Sequence, residues 1–220
     1  MPIKDNLHNI KSSLPENVTL VAVSKTKPVA DLMEAYEAGQ RIFGENKIQE
    51  MTDKWEQMPK DIEWHMIGHV QTNKVKYMAP FVSLVHGVDS LKLLKEINKQ
   101  AKKNERVINC LLQMHIAEEE TKFGMDEQEL HTLLNSDEFK QLDNIKVAGL
   151  MGMATFTDNQ EQVKKEFTQL KTIFDTYANK PLTDNCQLST LSMGMSGDYT
   201  LAIACGSTMV RIGSSIFGSR

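Results

Sequence analysis

The sequence predicts an α/β fold, a single (β/α)8 barrel of the TIM type over residues 1–220. Three observations point there. Short β-rich apolar segments alternate with longer segments of helical period along the whole chain. Eight such units in 220 residues leave about 27 residues each, within the size range of this barrel, whose lower limit is roughly 200 residues. No low-complexity stretch, long Pro/Gly/Ser linker or run of like charge divides the chain.

The first strand is about Val18–Ser24, nearly all apolar and so expected to be buried on both faces. Pro28 suits the start of a helix over Val29–Ala38, and Gly39 suits its end. A short second strand, Arg41–Phe43, is followed by Gly44-Glu45-Asn46 and a helix to about Met58. A third strand, Ile62–Ile67, leads to Gly68 and a helix near Thr72–Met78. A fourth, Phe81–His86, leads to a helix from Ser90 to about Lys103. A fifth, Val107–Ile116, leads through a polar loop ending at Gly124 to a helix from Asp126. A sixth, Lys146–Met151, leads to a long helix, Gln160–Ala178. A seventh, Gln187–Met193, leads to a short helix ending near Gly206, and the eighth is Met209–Ile212. An open doubly wound sheet shares this alternation. The dinucleotide fingerprint GxGxxG is absent after the first strand and GxxxxGK[ST] is absent altogether, which weakens the nucleotide-binding version of that sheet.

Composition excludes several function classes. The formal net charge is −4, with 25 basic against 29 acidic residues. Bulk charge therefore does not suit a nucleic-acid or anionic-membrane binder. No apolar run approaches the roughly 18 residues that would span a bilayer, and the N-terminus lacks the apolar core of a signal peptide. The three cysteines, Cys110, Cys186 and Cys205, are scattered without a CxxC pair. A reducing cytoplasm is the default expectation.

In a barrel, chemistry belongs at the C-terminal strand ends. Lys25 follows the first strand directly, where desolvation can convert an ammonium into a nucleophilic amine able to form a Schiff base. The bland alternative is a surface lysine just past a strand. Arg211, one of four arginines, interrupts the apolar strand Met209–Ile212. A buried guanidinium needs a partner, either a ligand at the barrel mouth or a structural carboxylate. Five of the 12 glycines fall after residue 190. Met195-Ser196-Gly197 and Gly206-Ser207-Thr208 offer backbone N–H groups and hydroxyls to an anion, in the region where barrels often hold phosphate. Ordinary turn chemistry is the alternative for these pairs. His65 and His69 are four apart, but a strand at His65 does not place both rings beside one metal. Glu118-Glu119-Glu120 lacks the alternating oxygen ligands of a calcium loop.

Five segments together resemble one family. They are Ala22-Val23-Ser24-Lys25-Thr26-Lys27-Pro28, Phe43-Gly44-Glu45-Asn46, Trp64-His65-Met66-Ile67-Gly68, Ser192-Met193-Gly194-Met195-Ser196 and Gly206-Ser207-Thr208-Met209-Val210-Arg211-Ile212-Gly213. In this order, and spanning nearly the whole chain, they resemble the YggS/PROSC-type pyridoxal 5′-phosphate homeostasis proteins. The resemblance implies a barrel like the N-terminal domain of alanine racemase, without that enzyme's second domain. It implies that Lys25 holds pyridoxal 5′-phosphate as a Schiff base, that Arg211 faces the pyridine nitrogen, and that Asn46 lies beside the ring. It places Ser196, Ser207 and Thr208, with nearby backbone amides such as those of Gly206 and Gly213, on the phosphate. Members often have Pro-Leu where this chain has His69-Val70, and an asparagine where it has His115.

The resemblance suits a carrier better than an enzyme. A cation beside the pyridine nitrogen disfavours its protonation and so weakens the electron sink. Alanine racemase carries a tyrosine four residues after its lysine, where this chain has Val29. The expectation is a cytoplasmic monomer that stores, buffers or delivers the cofactor to pyridoxal-dependent apo-enzymes, with no substrate turnover. A racemase-like enzyme is the alternative, and a cofactor-free Schiff-base aldolase the third.

Overall fold

Eight apolar segments become eight parallel strands because each is followed by an amphipathic helix that returns the chain to the same end of the sheet. The computed structural model describes residues 2–119, 123–180 and 183–218. Its elements run α1 (Ile3–Ser13), β1 (Thr19–Val23), α2 (Val29–Glu37), β2 (Ile42–Glu45), α3 (Ile48–Gln57), β3 (Glu63–Met66), a 3₁₀ turn (Thr72–Lys74) and α4 (Val75–Met78). They continue with β4 (Leu84–Val88), α5 (Leu91–Lys103), β5 (Ile108–Met114), α6 (Glu127–Asn135), α7 (Asp137–Lys140), β6 (Ile145–Gly152) and α8 (Gln160–Ala178). The chain ends with β7 (Cys186–Met195), α9 (Tyr199–Ala204), β8 (Met209–Ile212) and α10 (Ser214–Phe217). The strands close in sequence order, with β1 pairing both β2 and β8 in parallel. The predicted barrel is therefore the observed fold, and the open sheet is excluded.

Local chemistry sets the helix boundaries. Pro28 is the N-cap of α2, and Gly39, at φ 88, turns the chain away after it. Asp126 and Glu129 form a capping box at the start of α6, and the side chains of Ser90 and Asn159 cap α5 and α8. One helix, α1, was not expected from the alternation. It buries Leu7 and Ile10, and Asn6 Nδ2 donates to the Ile216 carbonyl at 3.0 Å, so it packs beside α10. The fourth strand begins three residues later than predicted. Phe81 instead stacks on Trp55 at 4.5 Å in the turn before it.

Strand alternation divides the core in two. Outward-facing residues such as Leu20, Ala22, Phe43, Trp64 and Leu112 pack under the helices. Inward-facing Val21, Leu84, Leu111, Met151 and Met209 form a separate cluster that plugs the barrel. Two residues further along the strands, toward their C-terminal ends, the lining turns polar: His86 follows Leu84, Gln113 follows Leu111 and Arg211 follows Met209, all buried. The apolar plug is thus the base on which a polar floor rests.

Candidate functional site

Above that floor the C-terminal strand ends enclose a cavity of about 640 Å³. Lys25, Asn46, Ser196, Arg211 and Gly213 all line it, drawn from four places in the sequence. Lys25 sits two residues beyond the end of β1 and is half-buried; Asn46 follows β2; Arg211 lies on β8; Gly213 follows β8. Ser196 belongs to the β7–α9 loop, where its hydroxyl oxygen accepts a hydrogen bond from the Gly213 N–H at 3.2 Å. That bond joins the loops after strands seven and eight. Ile67, Met153 and Phe123 add apolar wall, and His69 reaches the rim, where it stacks on Phe123 at 4.3 Å. His115 points elsewhere, its Nε2 lying 3.0 Å from the Glu119 carbonyl.

Arg211 is the buried cation of the floor. Its Nη1 donates to Ser192 Oγ at 2.6 Å and its Nη2 to the Gly152 carbonyl at 3.2 Å. These bonds use two of the five N–H donors of a guanidinium. Burial lowers its pKa to about 10, opposed by the Asp198 carboxylate, so it stays charged at neutral pH. Ser192 Oγ lies 3.2 Å from His86 Nδ1, and His86 Nε2 lies 3.1 Å from His65 Nδ1. Burial holds both rings neutral: His65 is pushed down to about 3, and His86 falls well below its usual value, with His65 and Arg211 adding to the effect. Because Arg211 can only donate, the Ser192 hydroxyl proton is directed to His86 Nδ1, and the His86 Nε2–H to His65 Nδ1. Sequence reasoning missed this chain. His65 carries no metal partner in it, and His86 and Ser192 show their role only when barrel closure brings β4 and β7 to the same floor.

Gly206, Ser207 and Thr208 are a correction. They were expected on a phosphate, but they precede β8 and therefore lie at the N-terminal end of the barrel, away from the cavity. Thr208 O accepts from the Thr19 N–H at the start of β1, and Thr208 Oγ1 accepts from the Leu191 N–H. Ser207 is buried, with its hydroxyl 2.8 Å from the Met193 carbonyl. Gly206 turns the chain at φ 95. Nearness in sequence to Arg211 hid the fact that a strand separates them from the mouth. The acid run Glu118–Glu120 is only partly within view, since Glu120 lies outside the described residues. Among the described residues no group of three or more potential metal ligands converges.

The cavity suits a phosphorylated pyridine aldehyde on its own chemistry. It offers an amine, a fixed cation, apolar walls for a ring, and a hydroxyl beside a backbone N–H for an anion. The comparisons agree. Residues 2–220 match the family described as alanine racemase, N-terminal domain. A pyridoxal phosphate homeostasis protein of Pasteurella multocida is 38% identical, covering 100% of this chain and 98% of its own. One from Aquifex aeolicus is 40% identical, with coverage of 91% and 86%. PipY of Synechococcus elongatus, solved with PLP bound, superposes with a TM-score of 0.89 at 34% identity, covering 98% of this chain and 100% of its own. An alanine racemase of Clostridium difficile shares the fold, with a TM-score of 0.79 at 16% identity, and this chain covers 56% of it. The chain belongs to the alanine racemase N-terminal-domain family, alongside its pyridoxal phosphate homeostasis proteins.

Proposed function

We propose that this protein binds pyridoxal 5′-phosphate as a Schiff base on Lys25 and stores, buffers or delivers it without turning over a substrate. The observation that carries this is the convergence of Lys25, Asn46, Ser196 and the Arg211–Gly213 segment on one cavity from four separate stretches of chain. The bound cofactor would supply an aldehyde that reacts reversibly with amines. Lys25 would hold that aldehyde through its amine. Arg211, held by Ser192 and Gly152, would present a fixed cation to the pyridine nitrogen, and a cation there disfavours protonation of that nitrogen. Ser196 and the Gly213 amide lie together to receive the phosphate. Asn46, which lines the cavity, would border the ring.

A carrier is favoured over a racemase by what faces the cavity. Val29 stands four residues after Lys25, and no tyrosine is among the described residues lining the site. The homeostasis proteins named above are similar over nearly their whole length, whereas the alanine racemase extends well beyond this chain. Recipient apo-enzymes are the partners this function implies, and a monomer in the cytoplasm is sufficient for it. No helix among the described residues is long and apolar enough to cross a membrane.

The visible spectrum of freshly purified protein tests the assignment. A band of a pyridoxal–lysine linkage is expected in the wild type and absent in Lys25→Ala. An unchanged band in that variant overturns the lysine assignment. Rapid exchange of the α-proton of a common amino acid for deuterium favours the racemase instead.

A further inference from the structure

The backbone groups on both sides of Lys25 are tied to one buried ion cluster outside the cavity. Lys54, on α3, is buried, and its ammonium donates to the Ser24 carbonyl at 2.8 Å and to Glu45 Oε1 and Glu50 Oε1 at 2.7 Å each. Ser24 Oγ also donates to Glu45 Oε1 at 2.7 Å. On the other side of Lys25, the Thr26 N–H donates to Glu50 Oε1 at 2.6 Å. The Lys27 N–H closes the turn onto the Ser24 carbonyl at 3.1 Å. Thr26, the third residue of that turn, has φ 65. A turn of this kind calls for glycine or asparagine there, and a β-branched residue adopts it only under constraint.

Anchoring α3 to the barrel wall explains the Lys54–Glu45 pair, which is the deeper of the two. It does not explain why Glu50 spends its carboxylate on the amide of an exposed, strained threonine. Two of the cluster's contacts end on the peptide groups that set the direction of Lys25. Resting on the assignment of Lys25 as the attachment point, we propose that Glu50 and Lys54 are positioning residues: they lock the Ser24–Lys27 turn and so aim the Lys25 side chain into the cavity. Neither touches the cavity itself.

The test is the rate at which pyridoxal 5′-phosphate attaches to cofactor-stripped protein, followed by absorbance and located by borohydride reduction and peptide mapping. Glu50→Ala is expected to slow attachment at Lys25 about tenfold while circular dichroism and the melting midpoint show it folded. Thr26→Gly adopts the turn without constraint, so Glu50→Ala/Thr26→Gly is expected to recover to within about threefold of wild type. A merely structural role for Glu50 gives no such rescue. Attachment at the wild-type rate in Glu50→Ala, or a double variant as slow as the single one, overturns the proposal. Should Glu50→Ala not fold, Glu50→Gln replaces it, with a slowing of a few fold and the same rescue expected, and the same outcomes overturning it. Lys25→Ala is the control. If it labels like wild type, the attachment point itself is wrong; if it fails to label while Glu50→Ala is unaffected, only the positioning role falls.

Discussion

Lowering the pH from 7.5 to 5.5 should destabilise the fold through the two floor histidines. Both are buried and neutral in the native state, with His65 pushed down to about 3 by burial and His86 shifted the same way. In the unfolded chain each titrates near its ordinary value of about 6.5. Between the folded and unfolded values the unfolded state binds more protons, so stability falls as pH falls. A group that stays neutral when folded loses about 1.4 kcal/mol over this interval, and two lose roughly 3 kcal/mol. That is a large part of a typical total of about 5–15 kcal/mol. Urea unfolding at pH 5.5, 6.5 and 7.5 measures it. His86→Gln removes one of the two groups and keeps a hydrogen-bonding side chain between Ser192 and His65. The variant should lose about 1.4 kcal/mol less than wild type over the same interval, because contributions from all other titrating groups cancel in the comparison. Parallel pH dependences in the two proteins would refute the claim that His86 is held neutral.

Four further substitutions separate site from scaffold. Ser207→Ala should cost about 1 kcal/mol of stability, through loss of its buried hydroxyl bond, and leave cofactor affinity unchanged, while Ser196→Ala should lower affinity at little cost in urea stability. Gly149→Ala should destabilise by about 3 kcal/mol or more in thermal unfolding, because the new Cβ would lie 1.8 Å from the Thr190 carbonyl oxygen. Burial raises the Glu166 carboxyl, but hydrogen bonds from Thr155, Gln162 and the Glu118 amide outweigh it and leave the pKa below 4.5. Its stabilisation is present above pH 4.5 and is lost as pH falls through the folded value. Glu166→Gln should therefore cost about 1–2 kcal/mol at pH 7, with the difference shrinking in unfolding curves taken below pH 4.5.

The order and number of strands were legible because burial on both faces of a parallel sheet leaves continuous apolar runs, as in Val18–Ser24. Helix α1 was not, because its position before the first strand breaks the alternation that revealed the others. Lys25 and Arg211 could be picked out by a charge set against an apolar strand. Ser207 could not be told from Ser196, since both stand in Gly/Ser-containing turns. Only the direction of β8 shows that one precedes the strand and the other faces its far end. Lys54 looked like any charged position on an amphipathic helix. Its i, i+4 spacing from Glu50 is visible in sequence, but the same spacing is common on solvated helix faces. What distinguishes it is burial beside Glu45, a contact created by packing α3 on β2.

The floor network supports the proposed role of holding the cofactor without turnover. Hydrogen bonding runs in one direction, from Arg211 through Ser192 and His86 to His65. Protonating His86 would leave the Ser192 proton without its acceptor and set a second positive charge beside the guanidinium. The network therefore resists taking up a proton at the very level where a pyridine nitrogen would rest against Arg211. A pyridoxal enzyme that depends on a strong electron sink benefits from a proton on that nitrogen. Here a permanent cation and two histidines held neutral oppose it together. They would leave an aldehyde's attachment to Lys25 intact, because on such a ring the aldehyde stands opposite the nitrogen. The same electrostatics that would weaken carbanion chemistry would thus leave reversible capture by an amine untouched, a separation that the proposed reservoir for a reactive aldehyde requires.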